Sequence, residues 1–141
     1  MNALSFRRMR GNYDPDLVPY ELDIAVPVID GVPLHELAGD RFFGIETSLV
    51  APPSQHLLGS PTYVEEGLTV LLDGDCLAAG CCGVMARVSL GDRTVRWTDF
   101  FARGLPKLPA GMSFEFDRAE YEAALASLDA LDIEPLPADV T

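Results

Sequence analysis

Between residues 84 and 98 apolar and polar side chains alternate over two runs separated by a turn pair, a pattern that fits a β-hairpin and little else. Val84, Ala86, Val88 and Leu90 fall on one side, with Met85, Arg87 and Ser89 on the other; beyond Gly91-Asp92, Val95 and Trp97 alternate with Thr94, Arg96 and Thr98. Glycine takes a positive φ at the first position of a two-residue turn, so Gly91-Asp92 is the expected turn. That register sets Val88 opposite Val95 and Ala86 opposite Trp97, small against large. It also sets Arg87 opposite Arg96 on the outer face. Like charges in that position repel and call for a carboxylate, either from Asp73, Asp75 or Glu65 or from a partner. Met85, Thr98 and Phe100 would share this face. Arginine beside an aromatic is a common interface anchor, so Met85, Arg87, Arg96, Thr98 and Phe100 form the candidate contact surface.

Other segments fill in an α+β fold, expected as an antiparallel sheet with a C-terminal helix packed on one face. Residues 68–72 make a short apolar run bounded by Gly67 and by Asp73-Gly74, as a buried strand should. Leu22, Ile24, Val26 and Val28 alternate with Asp23, Ala25 and Pro27, which predicts a half-buried strand. Pro27 has no amide hydrogen and should put that strand at an edge or end it. Asp30-Gly31 reads as a tight turn and residues 34–38 as one helical turn. Residues 51–63 carry Pro52, Pro53, Gly59 and Pro61 and read as a long loop, either functional or a plain connection packed down by Leu57, Leu58 and Tyr63. Near the end, Asp117 and Glu120 have capping-box spacing, and Phe116 with Tyr121 that of a hydrophobic staple. Tyr121, Ala124, Leu125, Leu128 and Leu131 then form one apolar stripe. The 141 residues are expected to form a single domain, with residues 1–20 loosely ordered and 132–141 a tail.

Charge narrows the partners. The net charge is −12, so free nucleic acid is excluded, because binding it draws on lysines and arginines that displace counterions. The acidity reads first as a solvated surface with a few salt bridges, and as the sharper alternative an acidic face that meets a basic protein partner. Arg7, Arg8 and Arg10 stand at the start with no acid among them. No apolar run nears the length of a membrane span, and no apolar block follows the first arginines as in a secretory signal. A cytoplasmic protein is expected, and the scarcity of lysine (Lys107 alone) beside frequent alanine, glycine, aspartate and arginine points to a GC-rich bacterial genome.

No motif fixes a reaction. Cys76, Cys81 and Cys82 invite a metal or thiol reading, with His56 as a further ligand, but their spacing is unusual for zinc and no fourth ligand is near in sequence. They read as buried or turn cysteines, with no metal and no cofactor. Ser54, His56 and Ser60 share one loop, yet no nucleophile elbow, phosphate loop or dinucleotide fingerprint occurs. Glu65-Glu66 and Asp73-Gly74-Asp75 suit hairpin or loop ends. The second half resembles a group of small uncharacterised bacterial proteins of actinobacterial type. Their pattern is Cys-Gly-x-x-Gly-Cys, then Val-x-Trp-x-Asp-Phe, then Phe-Asp-Arg-x-x-Tyr, met here at Cys76, Gly80 and Cys81, at Val95, Trp97, Asp99 and Phe100, and at Phe116, Asp117, Arg118 and Tyr121. Leu77 departs from it where a glycine would stand. The resemblance implies no activity. The expectation is a non-enzymatic protein-binding module of inhibitor, immunity or accessory-subunit type; the alternative is a small enzyme or a thiol or metal sensor built on the turn from Cys76 to Cys82, with His56.

Overall fold

The computed structural model describes residues 1–11, 22–38, 44–73, 83–103 and 111–135. In chain order the elements are β1 (Leu4–Gly11), β2 (Leu22–Ile29), β3 (Val32–Pro33), α1 (Leu34–Ala38), β4 (Ile45–Glu46), α2 (Thr47–Val50), β5 (Val64–Glu65), β6 (Leu68–Asp73), β7 (Gly83–Leu90), β8 (Thr94–Arg103), β9 (Phe114–Asp117), α3 (Arg118–Ala126) and β10 (Ile133–Pro135). They form an α+β fold of two sheets, antiparallel apart from the β1–β10 pair. The first sheet runs β10-β1-β2-β3, with β4 also on β2; the second runs β5-β6-β7-β8-β9. Among the described residues no helix is long and apolar enough to cross a membrane.

The sheets meet at two seams. At one, the Asn2 amide donates to the Glu115 carbonyl (2.7 Å) while its side-chain oxygen accepts from the Glu115 amide (2.9 Å). At the other, the Asp73 amide lies 3.5 Å from the Gly44 carbonyl, and a β-carbon on Gly44 would run into the carbonyl of Ala25, so only glycine fits there. One contiguous core fills the space between, with Phe6, Ile29, Leu72, Val95, Trp97, Phe116, Tyr121 and Leu128 among its buried members.

The start of the chain corrects an expectation. Residues 4–11 form a strand instead of a loose segment, paired with β2 from Leu4↔Ile29 to Gly11↔Leu22. Its signal was masked by three arginines, each of which finds a carboxylate only in the folded protein. Arg7 pairs with Glu134 (2.9 Å), and Arg8 grips Asp23 through Nε (3.0 Å) and Nη2 (2.8 Å), with Arg10 3.6 Å from the same carboxyl. The Arg8 guanidinium, with help from the Thr47 hydroxyl, holds the Asp23 carboxyl below the usual range. The expected tail is corrected for the same reason: residues 133–135 form β10, parallel to β1 and tied to it by Arg7 and Glu134. Pro135 ends that edge strand where no further ladder amide is needed.

β2 is interior, not an edge. β3 takes Val28 and Ile29 and β4 takes Ile24 and Ala25, so Pro27 falls in the gap between these two short pairings. Both faces of β2 are buried from Ile24 to Ile29 rather than one. The Asp30-Gly31 turn forms as expected, with φ of 53° and 83° at its two residues, the left-handed pair of a type I′ hairpin. Asp30 also accepts from Asn2 Nδ2 (2.7 Å) and the Ala3 amide (2.8 Å), which fastens the chain start to the turn.

Helix α3 begins where the capping pattern says. The Asp117 carboxylate accepts from the Glu120 amide at 3.0 Å, and the Phe116 and Tyr121 rings lie 5.4 Å apart. The helix packs on β1, β8 and β9, burying Tyr121 and Leu125, and a 3-10 turn at Leu128–Ala130 continues the stripe. Trp97 lies wholly buried beneath it, edge-on to Phe116 at 5.0 Å and to Tyr121 at 6.2 Å. Replacing Asp117 by alanine should lower stability by ~1 kcal/mol, read as a shifted urea midpoint at constant slope. The Tyr121 hydroxyl accepts from Trp97 Nε1 (3.1 Å) and donates to the Leu57 carbonyl (2.7 Å). Tyr121→Phe should therefore cost about 1–3 kcal/mol, because a buried donor and a buried acceptor both lose their partner; thermal unfolding checks it.

Candidate functional site

The 84–98 hairpin forms, in a different register. Leu90 faces Val95, Val88 faces Trp97, Ser89 faces Arg96 and Arg87 faces Thr98. The turn is therefore displaced by one residue to Asp92-Arg93, closed by the Gly91 amide donating to the Thr94 carbonyl (2.8 Å), and this moves every pairing by two residues. The expected opposition of Arg87 and Arg96 does not occur. A bulge follows: beyond Arg87↔Thr98 the ladder resumes at Met85↔Phe101, so Ala86 faces both Asp99 and Phe100, with Asp99 at a φ of 55°.

That bulge decides which aromatic is outside. Strict alternation put Phe100 on the outer face; the extra residue turns it inward, where its ring meets Phe114 edge-on at 5.6 Å. Phe101 takes the outer position and is 44% exposed. Met85 also leaves the candidate surface. It faces outward in register but is buried with Val70 in the core. The surface that remains carries Arg87, Arg96, Thr98 and Phe101. The carboxylates that answer the two arginines come from the same sheet: Asp99 lies 2.9 Å from Arg87 and Glu115 3.3 Å from Arg96. Neither is among the three acids proposed from sequence. Alternation carries no signal for the insertion at Asp99, since one of the two adjacent phenylalanines faces outward with it or without it.

The long loop holds the second candidate group. His56 is fully buried, and both ring nitrogens bond to backbone. Nε2 lies 2.8 Å from the Val70 carbonyl, which can only accept; Nδ1 lies 3.2 Å from the Thr62 amide and 3.4 Å from the Tyr63 amide, which can only donate. This fixes the neutral ring with its proton on Nε2. Burial pushes its pKa down, against the Val70 bond. A ring so engaged has no lone pair to offer a metal, which corrects the reading of His56 as a ligand. Cys76, Cys81 and Cys82 lie outside the described residues, as does Asp75; among the described residues no three His, Cys, Asp or Glu side chains are grouped to hold a metal. Ser54 does not meet the imidazole either, since its hydroxyl donates to the Leu49 carbonyl (2.6 Å) and accepts from the His56 amide (3.1 Å). The Ser54, His56 and Ser60 grouping thus contains no nucleophile and base pair.

Two further features adjoin these. Tyr63 donates to Asp73 Oδ1 (2.8 Å), and burial pushes the Asp73 carboxyl up, with Glu46 and Glu65 adding to the effect. Between β1 and α3 an open groove of about 410 Å³ is lined by Leu4, Phe6, Ala124 and Leu131, with Glu120 and Ser127 beside them. It holds no cluster of reactive side chains. Comparisons with known protein families, curated proteins and solved structures give no match.

The two phenylalanines should separate cleanly by mutation. Phe100→Ser should lower the melting temperature by several degrees, as expected when a packed ring gives way to a hydroxyl. Phe101→Ser should leave it nearly unchanged, and a circular-dichroism melt of both variants checks the face assignment.

Proposed function

We propose that the protein is a non-enzymatic protein-binding module, of inhibitor, immunity or accessory-subunit type, that meets its partner through the outer face of β7, β8 and β9. The observation that carries this is Phe101, a large exposed ring on a sheet face beside Arg87, Thr98 and Arg96. Aromatic residues and arginine are enriched at interface centres, and a strand presents them on a rigid surface. Arg87 and Arg96 are each more than half exposed although paired, so their ion pairs add little stability and can be exchanged for a partner's groups at small cost. The chain's strong acidity favours a partner with a basic surface outside this face. Residence in a bacterial cytoplasm belongs to the same reading; an odd number of cysteines does not suit the disulfide framework of a secreted domain.

The test is capture from a host lysate with wild type and Phe101→Ser as paired baits, followed by calorimetry on the captured protein after purification. A single partner should bind wild type with a defined stoichiometry. Phe101→Ser and Arg87→Gln should each bind about tenfold more weakly or worse, at unchanged melting temperature. Equal affinity of all three baits, or no partner of defined stoichiometry, would overturn the reading.

A further inference from the structure

The 51–63 loop is anchored to the body of the protein at two places of different kind. Its first arm is held by groups indifferent to pH near neutrality: the Leu57 side chain is buried in the core and its carbonyl accepts from Tyr121, while Ser54 ties back to Leu49. Its second arm, residues 58–63, returns to β6 through His56. The ring spans the gap between the Val70 carbonyl on one side and the Thr62 and Tyr63 amides on the other. A proton on Nδ1 would set an N–H donor against two N–H donors at hydrogen-bond distance, and the ring's charge would be buried. The Tyr63 side chain continues the same contact, donating to Asp73 at the end of β6, and its carbonyl accepts from the Val70 amide (3.1 Å).

We infer that residues 58–63 form an acid-opened latch, held shut by His56 in its neutral form, which swings off β6 when the ring takes a proton while the Leu57 anchor and the core beneath stay in place. The ionisable side chains on the surrounding elements are Asp73 on β6, Glu65 on β5 with Glu66 in the turn after it, Glu46 on β4, Arg87 on β7, Tyr63 in the arm itself, and Arg118, Glu120, Tyr121 and Glu122 on α3, of which Tyr121 bonds to the loop; α2 carries none. The ring's own bonds all go to backbone groups, so its protonation is not relieved by a carboxylate in the closed state. Asp73 acts in the opposite direction. Burial disfavours its charge while the arm is closed, so the closed arm takes up a proton there more readily and acid favours closure through this group. Opening gains from His56 as the pH falls below its free value of about 6.5, whereas the push that Asp73 gives toward opening is full at neutral pH and is lost as its carboxyl takes a proton, so the acid opening is carried by His56.

The experiment is amide hydrogen exchange on the full chain, read by NMR as protection factors at about pH 7.5 and about pH 5, so that the intrinsic pH dependence of exchange is removed. If the open arm has an ordinary histidine, the Thr62 and Tyr63 amides should lose protection by up to about thirtyfold over that span. The amides of Val88, Trp97 and Leu125 should keep theirs. His56→Gln should abolish the pH dependence at Thr62 and Tyr63, and His35→Gln should preserve it. If His56→Gln does not fold, the ¹⁵N shifts of the wild-type imidazole decide instead, since they must show Nδ1 unprotonated at neutral pH and protonated as the arm opens. Constant protection of Thr62 and Tyr63 down to about pH 5, or loss of protection in the core strands to the same extent, would overturn the latch.

Discussion

A single polar chain through the core ties the parts of this protein together: Trp97 donates to Tyr121 and Tyr121 donates to the Leu57 carbonyl. All three residues are buried, one on β8, one on α3 and one in the long loop. Such a chain is stable only when every member is satisfied, because a lone buried donor or acceptor costs more than the bond gains. It therefore demands that sheet, helix and loop adopt one relative arrangement. Burial raises the pKa of the Tyr121 hydroxyl far above its ordinary value, against the effect of the Trp97 bond, and so favours the protonated, donating form. The rings of Trp97, Phe116 and Tyr121 pack mutually edge-on or tilted around this chain, adding contact area without displacing it.

The loop is thereby given a structural duty as well as any functional one. Two of its three buried residues are neighbours in sequence: Leu57 carries the acceptor for Tyr121, and His56 carries the clamp for β6. One is anchored on α3 and the other on β6, and Tyr63 adds a bond to Asp73 at the end of β6. Leu57 is buried, and Leu58 and Tyr63 pack against the core, as a connection packed down by these three side chains requires. The His56 ring bonds only to backbone groups, so what it contributes is tautomer-specific geometry.

Charge shows how far local reading goes. Three arginines with no nearby acid looked like a basic start to an acidic chain; each has its carboxylate at a distance in sequence, Arg7 with Glu134 and Arg8 and Arg10 with Asp23. Pairings of this kind join β10 and β2 to β1 and leave the N-terminal strand less charged than its composition suggests. On the other sheet, Arg87 and Arg96 are answered by Asp99 and Glu115, so the exposed face around Phe101 is close to neutral although the whole chain is not.

What the sequence determined by itself was local. The start of α3 follows from Asp117, Glu120, Phe116 and Tyr121, whose spacing satisfies the first helical turn without help from elsewhere. The Asp30-Gly31 turn, the buried strand at 68–73 and the burial of Trp97 follow equally from short-range pattern. The tertiary structure decided whatever depends on partners far along the chain. β1 and β10 became strands because each completes the other's edge and their charges meet. Pro27 could sit inside a sheet because β3 and β4 stop on either side of it. Phe101, not Phe100, came to face solvent because one extra residue at Asp99 inverts every side chain after it. Alternation gives the two faces of a strand but cannot count an inserted residue, and only the ladder against β7 does that.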